Sequence, residues 1–306
     1  MRRESSSKLA TTDGVFARVI NEYLASTKFQ GMRENTRTNW GRYLRMAAHP
    51  DTLGSVPLEE IRPAIVDGFL DEFHDRPAAQ QKALGALRAL ERWALKKDKL
   101  LRTITTGLEA PGSDGGYQDW DNQQIVHAEQ HARPCLAKAI TLGHITGQRG
   151  SDLVKMCWTD FETNEGRLGI KVVQKKTNVK LWIPFPKSFA AVIDRWPRHL
   201  GPILRKENGE PFTRPQLTDH WLDERRRPEM APVADMTLHG LRSTCVLRLR
   251  NAGLELPLIC AYVGMSPNMV ARYTRKSDQI RNALAAVHRL DQLERTEPER
   301  RREQND

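Results

Sequence analysis

Apolar residues recur at helical steps through the first third of the chain. Val15, Val19, Tyr23 and Leu24 fall on one side of residues 15–27, and Trp40, Tyr43, Leu44 and Ala47 do the same within 34–48. Pro57 precedes a third helical pattern carried by Ile61, Ile65, Phe69 and Leu70. Residues 79–98, AQQKALGALRALERWALKKD, are rich in strong helix formers, with Leu84, Leu87, Trp93 and Ala94 as their buried stripe. The spacing predicts a small all-α unit of four or five helices.

The pattern stops at TITTGLEAPGSDGGY, residues 103–117, where Gly, Pro, Ser and Asp crowd together as they do in linkers. Helical spacing returns over 132–147, which ends at Gly147, and in the short run that begins at Ser151. Then the period changes. Ile170, Val172 and Val173 form one β-prone run and Val179, Leu181 and Ile183 alternate in another, with Lys175–Asn178 between them as a hairpin turn. Helices are predicted again at 187–196, 214–226, 237–252, 255–263 and 267–275, followed by an almost wholly charged tail that frays or extends outward. The expected fold class is therefore mostly α with a small β-hairpin or sheet, in two domains.

Composition narrows the function classes. The 306 residues are 39% hydrophobic and 28% charged, which describes a folded globular chain. No apolar run approaches the ~20 residues of a membrane span, and MRRESSSKLATTDG lacks the apolar segment of a secretory signal. A cytoplasmic location and no membrane partner are expected. The formal net charge is +10. Residues 1–112 hold 18 Lys+Arg against 14 Asp+Glu, and the remainder 30 against 24, so both halves are basic. A polyanion gripped by both halves fits this balance, beside the plainer reading of solvated Lys and Arg. Cys135, Cys157, Cys245 and Cys260 form no C-x-x-C pair and read as reduced core thiols. No zinc spacing and no phosphate-binding G-x-x-x-x-G-K-[ST] loop occurs, so neither a metal nor a nucleotide cofactor is expected.

Four short segments carry candidate chemistry: TGQRGSDL (146–153), VVQKKTNVKLWIP (172–184), TLHGLR (237–242) and VGMSPNMVARYTR (263–275). In TLHGLR, His239 and Arg242 stand three residues apart, which on a helix places them on one face. Together and in this order the segments resemble the catalytic domain of the tyrosine recombinases, the phage-integrase family. In that family an Arg lies in T-G-x-R-x-[ST]-[ED]-L, a Lys in a β-hairpin, H-x-x-R on a helix, and a nucleophilic Tyr about thirty residues later. Arg149, Lys176, His239, Arg242 and Tyr273 match these positions. The resemblance covers about residues 12–290. It implies a helical, SAM-like core DNA-binding domain over 12–103, a linker over 104–117, a catalytic domain over 118–290 and a charged tail over 291–306.

The residue types suit the implied reaction. Attack on a phosphodiester builds negative charge on its non-bridging oxygens, and preorganised cations stabilise that charge. Arg149 and Arg242 would form the clamp, since a guanidinium grips two oxygens and stays charged. Tyr273 would attack phosphorus, giving a 3′-phosphotyrosyl link that conserves the bond energy without ATP or metal. His239 would accept the Tyr proton or orient the phosphate, and Lys176 would protonate the departing 5′-oxygen. Lys175 competes for that role, but the Lys176–Thr177 pair matches the family hairpin better. Tyr262 is the rival nucleophile and fits the family spacing poorly. Asp152 reads as a structural partner for His or Arg.

Each position also has a plainer reading: Arg149 as a helix-end cation, Lys176 as a solvated turn residue, His239 as a satisfied core histidine, Tyr273 as a packing tyrosine. One departure stands out. Met265 occupies the place where the family carries a His or Trp that touches the phosphate, and a thioether donates no hydrogen bond. The alternatives are a site with one donor fewer, substitution by Asn268 or His288, or low activity. The implied partners are double-stranded DNA, further copies of the chain in a tetrameric synapse with C-terminal segments passed between them, and an accessory DNA-bending protein. Arg33, Arg37, Arg42, Arg45 and Lys82 are the candidate DNA contacts of the first domain. A type IB topoisomerase and a decayed relative that only binds DNA are the alternatives.

Overall fold

The periodicity of the first hundred residues becomes five helices: α1 (Phe16–Ala25), α2 (Thr27–Gln30), α3 (Glu34–Ala47), α4 (Pro63–Asp71) and α5 (Pro77–Leu95). The computed structural model describes residues 15–110 and 117–303, with side chains through residue 292. It divides into two units, Met1–Gly116 and Tyr117–Asp306. In the first, α3 and α1 pack on α5. Pro63 and Pro77 each open a helix, where a missing N–H costs nothing. Phe16, Ile20, Tyr23, Leu44, Leu70, Leu84 and Leu90 form the core, each such burial stabilising by ~1.5–3 kcal/mol. The rings of Phe29 and Trp93 both lie 5.3 Å from that of Tyr23.

The stretch read as a linker is in part packed structure. Ile104 and Leu108 are buried in the first unit's core. The carboxylate of Glu91 on α5 accepts from the backbone N–H groups of Ile104 (2.5 Å) and Thr105 (2.6 Å) and from the Thr105 hydroxyl (3.1 Å). Arg88 donates to the Leu108 carbonyl at 2.6 Å. Turn-like composition with two spaced apolar anchors looks like linker in sequence, because the carboxylate that organises it lies thirteen residues upstream.

The second unit opens with α6 (Asn122–His131), α7 (Pro134–Thr146) and the short α8 (Gly150–Leu153). A three-stranded antiparallel sheet follows, β1 (Phe161–Asn164), β2 (Arg167–Val173) and β3 (Lys180–Pro184), with Ile170 opposite Ile183 on the buried face. The hairpin β2–β3 falls where the alternation placed it. Strand β1 was not predicted: FETN has a single apolar residue and no period to read. Then come α9 (Lys187–Ile193), α10 (Arg214–Glu224), α11 (Gly240–Asn251), α12 (Leu256–Val263) and α13 (Pro267–Glu303).

Helix α11 packs on α7, α12 and α13. At its crossing with α7, a Cβ on Gly143 would lie 2.9 Å from the Leu241 side chain, so glycine lets the helices pack here without displacing it. Helix α11 begins later than predicted, at Gly240, with His239 as its N-cap residue. Helix α13 runs 37 residues instead of ending near 275, and much of the predicted charged tail continues it. Residues 304–306 of that tail lie outside the described residues. Helix formers dominate this stretch, and spacing alone set no stop before them. No described helix is long and apolar enough to cross a membrane.

Candidate active site

The site is assembled at the N-terminal end of α11. Residues 117–120 press against that end and fix its geometry. Trp120 donates through Nε1 to the Thr237 carbonyl (2.9 Å) and through its backbone N–H to Thr244 Oγ1 (2.8 Å). A Cβ on Gly240 would sit 2.2 Å from the Gln118 carbonyl oxygen, so the glycine after His239 is required by this approach. The turn places half-buried His239 one residue before the helix begins, with Arg242 in the first turn and buried. Arg242 donates through one guanidinium nitrogen to the Gly147 carbonyl. Gly147 itself is the left-handed cap of α7 (φ 62°), and the chain turns there into Arg149, the N-cap residue of α8.

Arg149 and Arg242 share an unusual condition. Nη1 of Arg149 and Nη2 of Arg242 are buried with no hydrogen-bond partner among the described residues. Buried donors of this kind are costly unless something accepts from them. Electrostatics point the same way. Burial, then the proximity of Arg242, Arg214, Arg149 and Lys176, push the His239 imidazole down from 6.5 to about 4. Burial and the neighbouring Arg149 push the Arg242 guanidinium down to about 10, partly offset by Tyr273 and Asp152. The cluster is a concentration of positive charge around a neutral histidine, and it favours any anion that enters.

Lys176 stands exposed on the β2–β3 turn. The turn is held at Lys175, whose backbone N–H donates to Asp152 Oδ1 at 2.9 Å. Asp152 thus braces the hairpin, and its charge also supports the Arg242 guanidinium, in line with a structural partner for an arginine. Tyr273 is half-buried on α13 beside the apolar cluster of Cys245, Val246, Ile259, Val263, Met265 and Val270, within electrostatic range of Arg242. Its helix is fastened to α11: Asp278 accepts from Arg250 Nε (2.7 Å) and from the Thr274 hydroxyl (2.6 Å), and Ser277 donates to Asn251 at 3.1 Å.

The rival Tyr262 is differently placed. Its hydroxyl donates to the Pro184 carbonyl at 3.2 Å, and burial pushes its ionisation well above the ordinary phenol value. Met265 is buried in the apolar cluster, which accounts for a thioether at that position. Asn268 is exposed at the start of α13. His288 lies fifteen residues beyond Tyr273 on the same continuous helix, a rise of about 22 Å, so it does not reach the site within one chain.

Two residues at the site escaped sequence reasoning. The ring of Tyr117 covers that of His239, with centroids 4.3 Å apart. The guanidinium of Arg214, at the start of α10, lies across Gly150, where a Cβ would come within 2.6 Å of its Nε. Both reach His239 only through tertiary approach, and no local pattern marks either.

Solved structures share this architecture of a helical first unit and a second unit with α11, a β-hairpin and a long C-terminal helix. A lambda integrase dimer bound to a COC′ core site superimposes with a TM-score of 0.70 at 21% identity, covering 85% of this chain and 95% of that one. The Tn1549 transposon integrase in complex with transposon right end DNA gives 0.64 at 16%, covering 88% and 99%. The XerH site-specific recombinase bound to palindromic difH substrate gives 0.63 at 13%, covering 92% and 99%. Residues 121–280 match the phage integrase family, and the chain belongs to it. The integrase of Escherichia phage lambda is 24% identical over 241 residues, which are 73% of this chain and 65% of that protein. The match thus spans just under two thirds of the curated relative's length.

Proposed function

We propose that this chain is a site-specific recombinase that cuts and rejoins double-stranded DNA through a 3′-phosphotyrosyl intermediate. The observation that carries the reading is the pair of buried, unpartnered guanidinium nitrogens on Arg149 and Arg242, which a phosphate's non-bridging oxygens would satisfy. Tyr273 attacks phosphorus, the Tyr oxygen–phosphorus bond forms, and the bond to the 5′-oxygen breaks. His239, kept neutral by burial and by the surrounding cations, is in the right state to take the Tyr proton. Lys176 gives a proton to the departing 5′-oxygen. Rejoining reverses these steps, with a 5′-hydroxyl as nucleophile and tyrosine as leaving group.

The first unit is proposed to grip the same duplex. Arg33, Arg42, Arg45 and Lys82 are exposed on it, while half-buried Arg37 donates to the Gln30 carbonyl. A dimer and a Holliday-junction tetramer are described for lambda integrase. Assembly of this chain into such a synapse belongs to the same proposal.

Strand exchange separates this reading from a topoisomerase. The full chain would first enrich its preferred duplex from a random-sequence library. Two differently labelled copies of that duplex are then incubated with it. Joined products carrying both labels are expected. Relaxation of supercoiled plasmid with no exchanged product would overturn the recombinase reading.

A further inference from the structure

Two glutamines that the chemistry above does not use are among the most deeply buried polar side chains of the second unit. Gln174 is 0% exposed and Gln148 2%. Gln174 Nε2 donates to Gln148 Oε1 at 2.9 Å and to the Val263 carbonyl at 3.0 Å. Gln148 Nε2 donates to the same Val263 carbonyl at 3.2 Å and to the Thr146 carbonyl at 3.0 Å. Gln174 Oε1 accepts from the Thr177 hydroxyl at 2.6 Å. Each amide therefore gives two hydrogen bonds and accepts one. A buried network satisfied to this degree is rigid, and each member polarises the next.

The three segments joined are the ones that carry the site. Gln148 precedes Arg149. Gln174 and Thr177 flank Lys175 and Lys176 at the hairpin. Val263 ends α12, just before the turn that leads to Tyr273. Gly264 is the left-handed cap of α12 (φ 64°), and a Cβ there would lie 2.7 Å from Gln174 Nε2. Glycine is what allows the amide to reach the Val263 carbonyl. The turn is also closed by Gln174 N–H to the Val179 carbonyl (2.9 Å) and Asn178 N–H to the Gln174 carbonyl (2.8 Å).

We propose that Gln148 and Gln174 are positioning residues: their amide pair, anchored on the Val263 carbonyl, fixes the Lys176 turn against the Arg149 segment. This rests on the reading of Lys176 as the proton donor to the 5′-oxygen. A proton donor on an exposed turn depends on the buried groups beneath it to fix the backbone from which it reaches. A misplacement of about 1 Å is worth on the order of 100-fold in rate.

Gln174→Met, which keeps the length but removes the amide, and Thr177→Val, which cuts the link on the exposed side without touching the core, test this in the full chain. Two readouts are used. The first needs no DNA: the rate at which trypsin cuts after Lys175 and Lys176 under native conditions, with thermal unfolding measured alongside. Both variants should be cut there several-fold faster than wild type, with other tryptic sites unchanged. Should Gln174→Met fail to fold, Thr177→Val carries the comparison alone.

The second readout is cleavage of the enriched duplex, with either oxygen or sulfur bridging at the scissile 5′ position. A thiolate is a much weaker base than an alkoxide and departs without a proton. The variants should cleave the oxygen-bridged duplex about 10- to 100-fold more slowly and the sulfur-bridged duplex at close to the wild-type rate. Lys176→Ala should show the same rescue and Arg242→Ala should not. If Lys176→Ala is not rescued, the proton-donor reading fails, and the trypsin comparison still decides whether the pair holds the turn. Wild-type trypsin resistance at the turn in both variants, or a cleavage defect that sulfur does not relieve while it relieves Lys176→Ala, overturns the positioning role.

Discussion

His239 is the residue whose surroundings say most about what enters the site. Its imidazole is pushed down to about 4 by burial and by the cations Arg242, Arg214, Arg149 and Lys176. A depressed histidine favours the neutral form when folded, so its contribution to stability is present above about pH 6.5 and is lost as pH falls toward 4. The ring signal of His239 in NMR should titrate near 4 in the free protein. Bound duplex brings a phosphate into the cluster and should move that midpoint upward, and Arg214→Ala should move it upward without DNA. An unmoved midpoint in both cases would mean that the cations do not face the ring. Arg242 gives the complementary test at the same scale. Arg242→Lys keeps a charge but not the planar fork, and the loss of one preorganised donor should slow cleavage by about 10²–10³, measured in single turnover.

At the scale of elements, one brace joins the two helices that carry the site and another holds the end of the first unit. Arg250 on α11 and Asp278 on α13 join the helix that carries Arg242 to the one that carries Tyr273. Arg250→Ala and Asp278→Ala should each reduce cleavage, and the double variant should be scarcely worse than either, since the two act as one unit. Additive losses would argue against a shared brace. In the first unit, Glu91→Ala removes the acceptor for two buried N–H groups, at about 1–3 kcal/mol each. Native-state tryptic cutting after Arg102 should accelerate, and the first unit's unfolding midpoint should fall. What the sequence revealed at this scale follows from period. Helices α3 and α5 and the β2–β3 hairpin were legible because their apolar residues repeat within one element. Strand β1, the late start of α11 and the packing of residues 104–110 depend on partners distant in sequence. The site divides in the same way: Arg149, Lys176, His239, Arg242 and Tyr273 stand in recognisable local motifs, whereas Arg214 and Tyr117 arrive from α10 and from the segment before α6.

For the whole molecule, the account rests on Tyr273 reaching a backbone phosphorus held by Arg149 and Arg242. Both units carry excess positive charge, so affinity for duplex DNA should fall steeply with salt, with log K declining by about 0.9 per phosphate neutralised for each unit of log salt. Binding alone would not distinguish a recombinase from a protein that only coats DNA. The most direct measurement is covalent capture on a nicked suicide duplex built on the enriched sequence, from which the cut strand's short end diffuses away. Wild type should accumulate a protein–DNA adduct whose digestion places the nucleotide on Tyr273, and Tyr273→Phe should give none. An adduct that survives in Tyr273→Phe, or one that maps to Tyr262, would contradict the account.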